Sequence, residues 1–452
     1  MRRVVASAVA LAVACLPVTG PAWSSPAARD PATAAARHAP RTPIRHLVVM
    51  LQEGHTFDNY FGRRTGVDGL PRHVCLPTRD RSRCVAPYAL GGSPHVALVD
   101  TAEAQQVAVD GGRMDGFVRA QAVHRRHARA AMGYYAGRRL PVLRGLAGAG
   151  VVFDRWFSAV PGGPVANDLF AVAAAAPARA TSVPRRGWQQ TTIFDRLEAA
   201  GVPWRIYVED YRPGVTLRTA GPGELRSGQV ARVPVLATPR FLGQHSPGGD
   251  LVARHVVPLD RYFADLARGT LPAVSWVVTT RQSEQPPHNP VHDQRVLRAV
   301  VNGLIASPAW PRAAFILSYG SGGGWYDHVP PPVVHGVRLG VRVPTVLLSP
   351  YARAGSVVHQ RYDAASVLRL IEQNWGVAPL GRRDRTAASL LPVFRFARAG
   401  ARPALVAVAD TRPPVAQPDR RVLYTGYLVA LAGALGCVAL VVRRGRSPGG
   451  SS

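Results

Sequence analysis

Five short segments of the chain are almost continuous in branched and aromatic residues and stop at polar, proline or glycine positions: His46–Leu51, Trp204–Val208, Val274–Val278, Ala314–Ser318 and Val343–Leu348. Apolar residues at both parities of so short a run predict a strand covered on both faces. Between these runs the apolar spacing changes to three and four. Ile193, Phe194, Leu197 and Ala200 share one helical face, as do Val296, Leu297, Val300, Val301 and Leu304, and then Val367, Leu368, Ile371 and Trp375. Alternating strand and helix predict an α/β fold on a mostly parallel central sheet. Ligands of such sheets bind beyond the carboxyl ends of the strands. Chemistry is therefore expected just after Leu51, Val278 and Ser318.

The two ends of the chain follow another pattern. Met1-Arg2-Arg3 leads into an apolar run from Val4 to Leu16 and then into small and polar residues through Ser25, which predicts a secretory signal peptide over residues 1–28. A lipoprotein signal ending at Cys15 is the alternative, although Ala12-Val13-Ala14-Cys15 lacks the large aliphatic residue usual three positions before the cysteine. Val422 to Val442 carries no charge. As a helix it would measure about 31 Å, close to the roughly 30 Å of a bilayer core. Arg443, Arg444 and Arg446 follow directly and assign the tail, residues 443–452, to the cytoplasm. Residues 29–42 and 398–421 are Ala/Arg/Pro-rich linkers. The expectation is a single-pass cell-membrane protein whose ectodomain spans residues 43–397 and lies outside.

Net charge changes this picture little. The chain has a formal charge of +28 from 55 basic residues, every one an arginine. They are scattered, without the aromatic-interleaved stripe or the motifs of a nucleic-acid binder, so no nucleic-acid partner is expected. Salt-sensitive attraction to anionic envelope polymers or lipids fits the charge. Of four cysteines, only Cys75 and Cys84 lie in the ectodomain. In an exported protein this pair reads as a disulfide worth about 2–3 kcal/mol for so short a loop; two unpaired thiols are the alternative.

After the first predicted strand comes Gln52-Glu53-Gly54-His55-Thr56-Phe57-Asp58-Asn59-Tyr60-Phe61-Gly62. This stretch resembles the opening signature of the bacterial phosphoesterase family of phospholipases C and acid phosphatases. Further matches follow in the family's order: Met114-Asp115-Gly116-Phe117, Phe153-Asp154-Arg155-Trp156-Phe157 with Pro161-Gly162, Gly323-Gly324-Trp325-Tyr326-Asp327-His328-Val329-Pro330-Pro331, Arg342-Val343-Pro344, and Asp363 through Glu372. The resemblance implies a three-layer α/β/α core like that of alkaline phosphatases. It also implies hydrolysis of phosphate esters at a metal site built from a Glu-Asn pair, a Thr or Ser nucleophile, an Asp-Glu pair and nearby histidines. A divalent cation in such a site lowers the pKa of the attacking hydroxyl and steadies the transferring phosphoryl group.

Most of those roles find no matching residue here. Glu53 matches the family's Glu as a vestigial metal ligand, and His328 persists as a vestigial catalytic candidate. Gly54 replaces the Asn. Pro164 stands at the nucleophile, with no Ser, Thr, Cys, Tyr or Lys between Ala159 and Ala180. Gly320-Ser321 stands at the Asp-Glu pair, and Gln285 replaces a site His after Glu284. Losing a nucleophile alone costs on the order of a millionfold in rate. Three replacements are open. Asp168 could serve as a carboxylate nucleophile; His288, His292 and Asp293 could rebuild a metal site; Ser321 in Ser318-Tyr319-Gly320-Ser321-Gly322 approaches a nucleophile elbow but lacks its first glycine. The reading is a pseudoenzyme or binding module with no cofactor, taking phosphorylated, lipid or anionic envelope ligands. The alternative is an active phosphoesterase that binds a divalent metal in a rebuilt site.

Overall fold

The computed structural model describes residues 39–91, 96–122, 125–136, 139–177, 179–221, 229–237, 251–280, 284, 290, 294–397 and 403. The predicted signal peptide, the 422–442 span and the cytoplasmic tail lie outside the described residues, as does nearly all of the two linkers. Among the described residues no helix is long and apolar enough to cross a membrane.

Eight strands form the central sheet: β1 His46–Gln52, β2 Val151–Phe153, β3 Trp204–Val208, β4 Val256–Pro258, β5 Val274–Val278, β6 Ala313–Tyr319, β7 Val346–Leu348 and β8 Ser356–Val358. Their order across the sheet is β8-β2-β7-β6-β1-β5-β3-β4. The block β4-β3-β5-β1-β6 is parallel throughout. Only β7 opposes its neighbours β6 and β2, while β8 runs parallel to β2. The predicted strand from Val343 is therefore shortened at its start and runs the other way. Pro344 offers no N–H to a ladder, and the chain before it leaves the sheet to bond Trp156 through the Val343 N–H.

Register divides the side chains between two faces. Leu47, Val49 and Leu51 align with Val274, Trp276 and Val278, and these with Trp204, Ile206 and Val208. Phe194 covers this face, its ring 4.7 Å from Trp204 and 5.9 Å from Trp276. It belongs to the helix Ile193–Ala200, which begins with a reciprocal Thr192–Asp195 capping box and ends at Gly201 in the left-handed region. On the other face Tyr207 meets Tyr262, ring to ring at 5.3 Å, in the helix Asp260–Arg268. The Tyr262 hydroxyl bonds the Val300 carbonyl in the helix Arg295–Ala306. Helices thus lie on both faces, giving three layers α/β/α. Cys75 and Cys84 are joined as a disulfide with Cα atoms 5.3 Å apart, clamping a small hairpin outside the sheet.

Phe194 is fully buried between two tryptophans. Phe194→Ala is expected to lower stability by about 3–5 kcal/mol. The measurement is urea unfolding; the midpoint should fall while the m-value stays constant.

Candidate functional site

β1 and β6 end side by side, Gln52 opposite Tyr319, and the chain turns sharply after each. The Gly320 N–H bonds the Gln52 carbonyl at 2.8 Å, and the N–H groups of Gly54 and His55 both reach the Ser321 carbonyl at 3.2 Å. Gly54 has φ +82 and Gly323 has φ +63. A Cβ on Gly323 would come within 2.0 Å of the Gly54 carbonyl oxygen. The two turns are therefore packed backbone to backbone, and only glycine fits the second.

This junction delivers Glu53 into the protein, 1% exposed. Asp168, on the helix Pro164–Ala173, faces it. Burial first, and the Glu53 charge second, push the Asp168 carboxyl well above the usual carboxylate range. Arg232 approaches both: its Nε lies 3.5 Å from Glu53 Oε1 and 3.9 Å from Asp168 Oδ2, and its Nη2 donates to the Leu51 carbonyl at 2.9 Å. Asp100 arrives from a neighbouring loop. Burial raises its pKa and the Glu53 charge adds to this, while the Ser321 hydroxyl and the Gly323 N–H, 2.9 Å away, oppose the rise.

Of the positions where the family's functional residue is replaced, Gly54, Pro164, Gly320 and Ser321 lie among the described residues. Pro164 is the first residue of its helix, a position that suits proline because the N–H it lacks would have no helical partner. It presents no hydroxyl. Asn167 holds the turn before it, accepting from the Val160 N–H and donating to the carbonyls of Val160, Gly162 and Gly163. A Cβ at Gly320 would sit 3.5 Å from Asp168 Oδ1, so the Asp168 carboxyl stands where a side chain at position 320 would point. Ser321 is fully buried beside Asp100. Gln285, His288, His292 and Asp293 lie outside the described residues. Their neighbour Glu284 is buried and accepts the hydroxyls of Tyr60 and Tyr319 at 2.7 and 2.8 Å.

His328 belongs to a second cluster. Its Nδ1 is 2.6 Å from Asp58 Oδ2 and its Nε2 is 3.1 Å from Asp68 Oδ1. No contact among the described residues joins it to Glu53, Asp168 or Ser321. Asp58, Asp327 and His328 bring ligand atoms within 4.8 Å of one another and are the group that could hold a metal ion. Arg342 already fills that position. Fully buried, it donates through Nε to Asp327 at 2.9 Å, through Nη2 to Asp58 at 3.0 Å, and through Nη1 to the carbonyls of Asp68 and Asp154, with the Phe57 ring 4.7 Å from its guanidinium carbon. As arranged, these carboxylates fit a guanidinium and not a divalent ion. At Glu53 and Asp168 the neighbouring cation is Arg232, at 3.5 and 3.9 Å.

His55 was absent from the sequence expectations as a site residue. It is buried between the rings of Tyr60, at 4.2 Å, and Trp325, at 5.7 Å, with Nδ1 on Asn59 and Nε2 on the Glu284 carbonyl. Burial lowers its pKa to about 4, so it is a neutral packing residue. Asp100 and Arg232 also escaped sequence reading. Asp100 precedes an ordinary helix start at Thr101, and Arg232 is one arginine among many.

The His328 cluster sets a pH dependence. Burial opposes charge on the ring, but the Asp58 hydrogen bond and the nearby carboxylates overrule it and raise the pKa above 6.5. A raised folded-state pKa means that this stabilisation is complete below pH 6.5 and is lost as pH rises through the folded value. Burial likewise pushes Asp327 up to about 6, which adds a decline of the same sign between its unfolded value of 3.8 and that pH. Ring titration by NMR should place His328 above 6.5. Asp58→Asn should lower that value, weaken the alkaline decline, and cost about 3 kcal/mol by removing one of the two carboxylates that hold Arg342.

With the geometry established, comparison with known proteins gives the family. The Phosphoesterase family profile matches residues 44–378. The non-hemolytic phospholipase C of Pseudomonas aeruginosa is 25% identical over 409 residues, which cover 75% of this chain but only 55% of that enzyme, so the chain spans about half the length of that relative. Phospholipase C B of Mycobacterium tuberculosis is 27% identical over 426 residues, covering 79% of this chain and 78% of that protein. A solved structure of an alkaline phosphatase superfamily protein from Vibrio parahaemolyticus aligns with TM-score 0.37 at 14% identity, over 77% of this chain and 72% of that one. The match over residues 44–378, most of the folded region, makes this chain a member of the Phosphoesterase family.

Proposed function

We propose that this chain is an exported, membrane-tethered family member that binds phosphate-bearing ligands without hydrolysing them. The observation that carries this reading is Arg232, lodged at the Glu53–Asp168 pair with all three side chains almost wholly buried. A cation-assisted phosphoryl transfer needs open metal ligands and an attacking oxygen. Here the carboxyl groups already face a guanidinium, and the helix that should present the hydroxyl begins with Pro164. The tether is the uncharged run 422–442 with arginines behind it. The ligands are phosphorylated or anionic lipid headgroups and envelope polymers, drawn by the charge of +28.

A second reading has its own support. Asp168 occupies the space of the missing side chain at position 320, and the Ser321 hydroxyl stands beside Asp100. Those groups are the raw material of a rebuilt hydrolytic site.

The two readings separate in one assay. The full-length protein in detergent should purify without stoichiometric metal. It should not cleave p-nitrophenyl phosphate or bis(p-nitrophenyl) phosphate above background with Mg²⁺, Ca²⁺, Mn²⁺ or Zn²⁺ present. Turnover that vanishes in Glu53→Ala would establish the hydrolase instead.

A further inference from the structure

We propose that Arg232 is the resident cation of this site: its guanidinium substitutes for a divalent ion between Glu53 and Asp168 and keeps such ions out. This inference rests on the non-hydrolytic reading and gives it a physical cause.

Three observations carry it. The first is position. Glu53 leaves the end of β1 and Asp168 comes from the helix after Pro164, yet Arg232 Nε lies within 3.9 Å of a carboxyl oxygen of each. The second is anchorage. Arg232 Nη2 bonds the Leu51 carbonyl, two residues before Glu53, so the strand end that presents the carboxylate also fixes the arginine. The third is what the guanidinium leaves unmade. Among the described residues its Nε and Nη1 complete no hydrogen bond, and the Nε approaches to Glu53 Oε1 and Asp168 Oδ2 stop at 3.5 and 3.9 Å. A planar fork that completed two parallel bonds would be an ordinary buried salt bridge. This one stops short of hydrogen-bonding distance and neutralises by charge alone, as a spherical ion does.

Exclusion follows from the same geometry. A divalent ion needs several oxygens at roughly 2.0–2.6 Å. To reach these oxygens it must either expel a side chain that is 8% exposed or sit against a like charge. Arg342 shows the arrangement is not unique, because it occupies the Asp58–Asp327 pair in the same way but with its bonds complete.

The experiment measures Mn²⁺ binding by electron paramagnetic resonance on the full-length protein, Arg232→Ala, Arg232→Gln, and Arg232→Ala combined with Glu53→Gln. Removing the guanidinium should create a site. Arg232→Ala and Arg232→Gln should each bind one Mn²⁺ at least about tenfold more tightly than the parent protein, a difference within the range that ligand set and local charge impose on such ions. Adding Glu53→Gln should abolish the gain. If either variant is unstable, Mn²⁺ should raise its melting temperature, since an ion that binds only the folded state stabilises it. A folded Arg232→Ala that gains no Mn²⁺ site overturns the proposal, as does an unstable one that Mn²⁺ does not rescue. A parent protein that binds Mn²⁺ through Glu53 as tightly as the variant overturns it too. Ester turnover by a metal-free parent would sink the non-hydrolytic reading instead and leave the role of Arg232 standing.

Discussion

A carboxylate taken out of water must be matched by positive charge or by a proton, and the carboxyl edge of this sheet gathers many of them. Glu53, Asp100 and Asp168 gather where β1 and β6 end, and Asp58 and Asp327 form a second group on the segments that follow. The penalty for burying each one alone is several kcal/mol. Two arginines supply most of the compensation: Arg342 at Asp58 and Asp327, and Arg232 at Glu53 and Asp168. At Asp168, burial and the neighbouring Glu53 charge raise the pKa well above the usual carboxylate range.

Backbone geometry makes that convergence possible. Gly54 and Gly323 turn against each other so closely that no Cβ fits at position 323, and the Ser321 carbonyl ties the two turns together. The Glu53 loop and the segment that carries Asp327 and His328 are therefore tied to each other through the backbone. Thr56 extends the link by bonding the Tyr326 carbonyl. Asp58 is then aimed at Arg342 by a helix only one turn long, and His328 is clamped between Asp58 and Asp68. The turns thus sort their acidic residues into two clusters, with Glu53 in one and His328 in the other.

The sheet core was legible because its strands are buried on both faces, and runs such as Val274–Val278 carry apolar residues at both parities. Strands β2, β4 and β8 were not legible, since three residues are too few to show a period. The strand expected from Val343 was overextended because apolar content cannot show that Pro344 and Arg342 have left the ladder. At the site, the β1–β6 junction ties Gly54, Gly320 and Ser321 together beside Glu53, and Pro164 opens the helix that carries Asp168. Arg232 and Asp100 had no local signature. Their meaning is entirely tertiary: an arginine becomes distinctive only when two buried acids are found beside it.

That contrast bears on how a buried acidic site is balanced without an ion. Removing an ion from a buried acidic nest leaves uncompensated charge, so the fold survives only if a cation arrives or the acids leave. Both changes are visible here. Acidic side chains are absent at positions 320 and 321, while Asp168 and Arg232 bring one acid and one base back into the same space. Arginine suits that place because it stays charged when buried and its fork can bond a carbonyl while facing a carboxylate. A lysine would shed its proton more readily in such surroundings, and this chain has none to offer. The cluster at this sheet edge thus sets Arg232 and the acids Glu53 and Asp168 against one another inside the protein, all three almost wholly buried.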